Sequence, residues 1–166
     1  MGFLAGNIMK KIKTIDIEIA LMSHFYKAYI IVPRTYVDHY EVDICMLNKN
    51  SLYATEIEIK VSKSDLMKDV HKKYNHNSIY FRRFYFAVPE ELKEFALENI
   101  PKKAGLFIIR KKYKSLKNNT YTVSEIRKPK INSQGIKWDT LKIEWLLKAA
   151  YYKLLPLHLI IRKLKL

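Results

Sequence analysis

Two short runs of this chain place ionisable residues at every second position. Glu41, Asp43 and Cys45 alternate with Val42, Ile44 and Met46; Glu56, Glu58 and Lys60 alternate with Ile57, Ile59 and Val61. Period-two alternation with β-branched residues predicts two strands, each with one face in a core. Asn48-Lys-Asn-Ser51 between them is turn material. A shorter turn sets Asp43 opposite Glu56 and a longer one opposite Glu58, but opposed residues share a face in either register. Asp43, Glu58 and Lys60 are therefore expected to project together. Two carboxylates about 4–5 Å apart repel by about 3–4 kcal/mol at an effective dielectric near 20. Lys60 offsets one charge. A hard divalent cation, which takes a few carboxylate oxygens plus water and phosphate, would offset the rest. The alternative is a solvated charged face on an amphipathic hairpin.

The surrounding elements decide how exposed that hairpin is. Ile12, Ile15, Ile19, Met22 and Phe25 or Tyr26 predict a helix over residues 8–29 with those side chains as its apolar stripe. Glu18 lies beside the stripe, as a flank charge or as an extra carboxylate reaching Asp43. Tyr29–Val32 reads as a short strand ended by Pro33. Arg34 and Tyr36 then lead into the first charged strand, and His39 is a polar edge residue. After Lys60, Ser64 reads as an N-cap with Asp65 in the first turn. Leu66, Met67, Val70 and Tyr74 form the inner stripe of a helix to about residue 75. Lys68, Lys72 and Lys73 lie on its outer side, for solubility or for phosphates. His71 and His76 are spaced wrongly for a metal pair on one helical face.

Arg83–Val88 then predicts a buried strand, Pro89–Glu98 a helix opened by proline and acids, and Gly105–Ile109 a second buried strand. Strand, helix and strand with short links form a right-handed βαβ unit. A hairpin feeding that unit gives an α/β/α sandwich with a central mixed sheet, antiparallel hairpin plus parallel βαβ unit, in which the charged hairpin is central.

With these elements in place, the chain resembles the PD-(D/E)XK restriction-endonuclease-like nuclease superfamily. The matching residues are Asp43, Glu58-Ile-Lys60 on the next strand, and the Ser-Lys-Ser-Asp65 helix start. Glu56–Asp65, with Phe84–Pro89 and Gly105–Ile109, is similar to the MmcB-like DNA-repair branch and its phage-type relatives. The resemblance spans roughly residues 15–110, with Val42 where the motif usually has proline. It implies a restriction-endonuclease-like fold and a Mg²⁺-dependent deoxyribonuclease, with Mn²⁺ as substitute. Asp43, Glu58 and the backbone carbonyl of Ile59 would hold the metal. Lys60 would orient the attacking water or stabilise phosphorane charge, and Glu18 would bind a metal-ligated water. Glu41 and Glu56 lie one pleat repeat, about 7 Å, away and are left out of the ligand set.

Composition sets the wider bounds. The 166 residues suffice for one domain, taken as 1–166 with its core over about 10–110. The net charge of +15 is uneven: residues 1–60 hold 7 basic and 7 acidic side chains, and the rest hold 24 and 9. That asymmetry points to a polyanion, either nucleic acid, with DNA foremost, or an anionic membrane surface. Lys63, Lys68, Lys72, Lys73, Arg82, Arg83, Lys111 and Lys112 are the expected phosphate contacts. Residues 111–137 read as a basic hairpin with interleaved tyrosines, either for phosphates and base stacking or as a lysine-guarded edge. Asp139 should cap a final helix over 139–166 whose stripe is Leu141, Trp145, Ala149 and Tyr152, with Pro156 kinking or splitting it. Its tail would pack on the domain or on a second copy as a homodimer, with a membrane-surface role as the lesser reading. The single cysteine, Cys45, suits a reducing compartment, and no signal peptide, transmembrane run or phosphate-binding glycine loop is evident. A cytoplasmic protein, bacterial or phage, is the expectation.

Overall fold

A computed structural model describes residues 11–70, 78–115 and 118–164. Its elements are helix α1 (Thr14–Phe25), strands β1 (Tyr29–Val37), β2 (Tyr40–Asn48) and β3 (Ala54–Ile59), helix α2 (Lys63–Val70) and strand β4 (Phe81–Pro89). A 3-10 turn (Glu90–Leu92) runs into α3 (Lys93–Asn99), followed by β5 (Gly105–Ser115), β6 (Asn118–Arg127) and α4 (Thr140–Leu164). The six strands form one mixed sheet in sequence order. Strands β3, β4 and β5 are parallel, while β1–β2, β2–β3 and β5–β6 pair antiparallel.

The alternation that predicted the strands divides the core. Ile44, Met46, Ile57, Ile59, Tyr85, Ala87, Phe107 and Ile109 pack with Ile17, Ala20 and Leu21 of α1. On the other face, Phe84, Phe86, Val88, Leu106 and Ile108 pack with Leu66 of α2 and Ala96 of α3. Cys45, Leu47, Ala54 and Phe81 pack with Trp138, in the loop before α4, and with Leu146 of α4. Helices thus cover both faces of a mixed sheet, and β2 and β3 lie inside it, as the element order predicted.

Several local expectations are corrected. The β1 strand runs through Pro33, which sits opposite Ile44; as the terminal strand, β1 has an outer edge where a missing N–H costs little. The stripe expected for α1 is right only in part: Ile12 is buried and Phe25 packs against the core, but Ile15, Ile19 and Met22 are exposed and Ile17, Ala20 and Leu21 take the inner face instead. The same happens in α4, where Leu141, Trp145 and Tyr152 are exposed and Leu146 is buried. Each helix carries more than one run of apolar side chains at helical spacing, and the period alone does not choose between them.

Ser62, not Ser64, caps α2: its Oγ accepts the Asp65 N–H at 3.2 Å. Asp139 caps α4 as expected, accepting the Lys142 N–H at 2.8 Å. Pro156 lies inside a continuous helix rather than splitting it. The expected β5–β6 hairpin is present, and the Tyr121 hydroxyl donates to Asp16 of α1 at 2.6 Å. His71, Lys72, Lys73, Tyr74 and His76 lie outside the described residues.

Candidate active site

The register settles which acids meet. Ile44 pairs with Ile57 and Cys45 with Glu56, so Asp43 falls across from Glu58. The β2–β3 ladder stops at Ile44 and Ile57. Just beyond, the Asp43 side chain supplies the missing acceptor: its Oδ2 takes the Ile59 N–H at 2.8 Å. Ile59 lies between Glu58 and Lys60, whose side chains meet with Lys60 Nζ donating to Glu58 Oε1 at 2.7 Å. Strand β3 continues onto β4 through Lys60 N–H to the Ala87 carbonyl at 3.0 Å. The three residues singled out in the sequence therefore converge where β2 and β3 part, at the carboxyl end of a parallel strand. In open α/β sheets this is where ligands bind.

Two of the three side chains are enclosed, and Asp43 is half-buried. The Glu58 and Lys60 side chains are 11% and 7% exposed. Asp65, in the first turn of α2, adds a second carboxylate 4.0 Å from Lys60 Nζ. The sequence marked Asp65 as a helix-dipole charge and missed this contact, because it depends on how α2 folds back after Ser62.

Glu56, two residues before Glu58, is fully buried and accepts the Tyr40 hydroxyl at 3.0 Å. Across from it, burial and then the nearby Glu56 push the Cys45 thiol well above its ordinary range. Native Cys45 is accordingly expected to resist iodoacetamide at pH 8 and to react fully in urea. Native labelling at a free-thiol rate, read by mass shift, would show that β2 opens.

Glu18 is on α1, which packs on the sheet face carrying Ile57 and Ile59, and its contact is with Arg34. It is 3% exposed, and its Oε1 lies 3.3 Å from Arg34 Nε. The pairs Pro33–Ile44 and Thr35–Val42 place Arg34 across from Asp43. Arg34 has a left-handed φ of 47°. Beside it, Val42 and Cys45, three residues apart, join one buried cluster, so the strict alternation expected of β2 is lost at Asp43. Arg34 was legible only as a link between strands, since nothing local shows β1 continuing past Pro33.

The proposed phosphate contacts are scattered. Lys63 and Lys68 are exposed on α2, with Lys63 Nζ 5.0 Å from the Phe95 ring centroid. Lys111 and Lys112 extend β5 past Ile109 at the same end of the sheet as Lys60. Arg82 and Arg83 are at the other end, Arg83 opposite Thr55, four residues before Ile59. Arg82 stacks on Tyr53 at 4.3 Å and reaches the Gly135 carbonyl at 3.5 Å, a tie to the loop before α4. Arg83 lines a cavity of about 640 Å³ with Tyr85, Phe107 and Glu125. Neither arginine joins the Asp43 site.

Among the described residues no three His, Cys, Asp or Glu side chains are grouped to hold a metal. Asp43, Glu58 and the Ile59 carbonyl, the set that the resemblance implies, are two carboxylates and one main-chain oxygen at neighbouring positions of β2 and β3. All three are hard oxygen donors, and Mg²⁺ binds in that way when water and substrate phosphate complete its shell.

Fold and site together define an α/β protein with a six-stranded mixed sheet and two acids and an amine at the carboxyl end of its third strand. No family model and no curated protein matches the chain. Among solved structures, SPO1766, a protein of unknown function from Silicibacter pomeroyi, is similar over 90% of each chain, with 18% identity and a TM-score of 0.60. That likeness is one of fold. Among the described residues no helix is long and apolar enough to cross a membrane.

Proposed function

We propose that the protein is a Mg²⁺-dependent nuclease of the restriction-endonuclease-like type, hydrolysing phosphodiester bonds of DNA at the Asp43–Glu58–Lys60 cluster. One observation carries this reading. Asp43 bonds to the backbone of the residue lying between Glu58 and Lys60, and the latter two touch each other, in the interior of a sheet rather than on a solvated edge. Burying acids and an amine together costs desolvation energy that apolar side chains at the same positions would avoid. A catalytic or ligand-binding role accounts for keeping them.

In this reading Asp43, Glu58 and the Ile59 carbonyl hold the metal, with Mn²⁺ as a substitute. When bound, the metal supplies a water of lowered pKa and a counter-charge for the scissile phosphate. Lys60, fixed by Glu58, presents its amine to charge developing on the phosphorus oxygens. The net charge of +15 supplies attraction for the polyanion. The test is cleavage of plasmid and branched DNA with and without Mg²⁺, and its loss in Asp43→Asn with binding retained.

A second reading is a domain of this fold that binds nucleic acid without cutting it. The 2.7 Å Glu58–Lys60 pair favours it, because the protein's own amine already neutralises that carboxylate. DNA binding with no Mg²⁺-dependent cleavage by the wild-type chain would select it.

A further inference from the structure

Arg34 combines four features that packing alone does not require of a surface residue. Its φ of 47° is the left-handed region that a non-glycine side chain rarely adopts. Its guanidinium pairs with the buried carboxylate of Glu18, while its own side chain stays 62% exposed. Its carbonyl accepts a hydrogen bond of 2.6 Å from Lys153 Nζ, so α4 clamps the backbone where it bends. And the β1–β2 register sets it across from Asp43. Strained backbone held from two sides, one strand away from Asp43, is a common way to aim a side chain. Glu18 engages Arg34 through Nε, and a guanidinium has further donors suited to the two oxygens of a second anion.

We propose that Arg34 holds a backbone phosphate of the nucleic acid entering the Asp43 site, with Glu18 as the positioning residue that fixes its guanidinium. This rests on the nuclease reading for its ligand, and it gives Glu18 a role through Arg34 instead of through a metal-bound water.

Removing Arg34 alone would strand the buried Glu18 charge, so the informative variant is Arg34→Gln with Glu18→Gln. It deletes both charges and leaves the net charge unchanged, so long-range attraction to DNA is preserved. Binding of a short fluorescent duplex is measured by anisotropy in EDTA across a salt series, in the Asp43→Asn background. Loss of one phosphate contact lowers the slope of log K against log salt by roughly 0.9. Loss of a charge-assisted hydrogen bond weakens binding roughly 10-fold. Both changes are expected, with a circular dichroism spectrum like that of the parent. An unchanged slope and affinity would overturn the proposal and leave Arg34 as a counter-ion for Glu18. Cleavage by the wild-type chain is scored separately. An active enzyme with an unchanged slope in the double variant sinks this inference alone, and an inactive chain sinks the nuclease reading alone.

Discussion

Replacing Asp43 by asparagine is expected to abolish Mg²⁺-dependent DNA cleavage while leaving the fold and DNA binding in place. The asparagine Oδ can still accept the Ile59 N–H that Asp43 takes at 2.8 Å, so the junction of β2 and β3 keeps its acceptor. The structural cost is then only the difference between a charged and a neutral hydrogen bond, about 1 kcal/mol. What is lost is the anion. Loss of a partner one shell out from a metal costs 10- to 100-fold in affinity or activity, so loss of a ligand should cost more than about 100-fold. Asp43→Ala removes the acceptor as well, adding about 1–3 kcal/mol of instability for the stranded N–H. Comparing the two variants separates the roles: cleavage falls equally in both, whereas the unfolding midpoint falls mainly in the alanine variant. Cleavage by Asp43→Asn at the wild-type rate would remove Asp43 from the chemistry and leave it as a strand-end acceptor.

The parts of this site that could be read from the sequence are those governed by short-range periodicity. Alternation placed Glu58 and Lys60 on one face, and they meet there. Two apolar strands joined by a short helix placed β4 and β5 side by side in parallel, as found. What could not be read depends on contacts between distant elements. The inner face of α1 is set by which stripe fits the sheet, and Ile17, Ala20 and Leu21 fit where Ile15 and Ile19 do not. Nothing local to Tyr121 marks its bond to Asp16, which lies far away in sequence. Arg34 was hidden for a subtler reason. Proline normally ends a strand, and only the edge position of β1 lets the strand run past Pro33 and bring Arg34 across from Asp43. The basic residues picked out from charge alone fall at both ends of the sheet, because a basic side chain leaves no local mark of which end it occupies. Lys111 and Lys112 share an end with Lys60, and Arg82 and Arg83 do not.

The largest stability effect is expected from Lys60→Met. Its amine lies 2.7 Å from Glu58, with both side chains almost wholly buried. Deleting one partner of a buried pair leaves an uncompensated charge, which costs about 3–5 kcal/mol, whereas replacing both partners by uncharged groups is often close to neutral. Asp65 also loses a partner, but it is 45% exposed and 4.0 Å away, so water screens most of that loss. Urea unfolding should therefore show Lys60→Met strongly destabilised and Glu58→Gln with Lys60→Met recovering most of the deficit. The same pair of variants probes cation binding without reference to activity. In Lys60→Met the Glu58 carboxylate, across from Asp43 in the strand register, has lost its amine, so a cation shared by the two acids would stabilise the folded state by mass action. Millimolar Mg²⁺ should raise the unfolding midpoint of Lys60→Met well above any shift it causes in the double variant, which has lost one of the two acids. Equal shifts would mean that the carboxylates do not share a cation. A single variant no less stable than the double would mean that the Glu58–Lys60 contact is too solvated to matter, and the case for an enclosed catalytic cluster would fall with it.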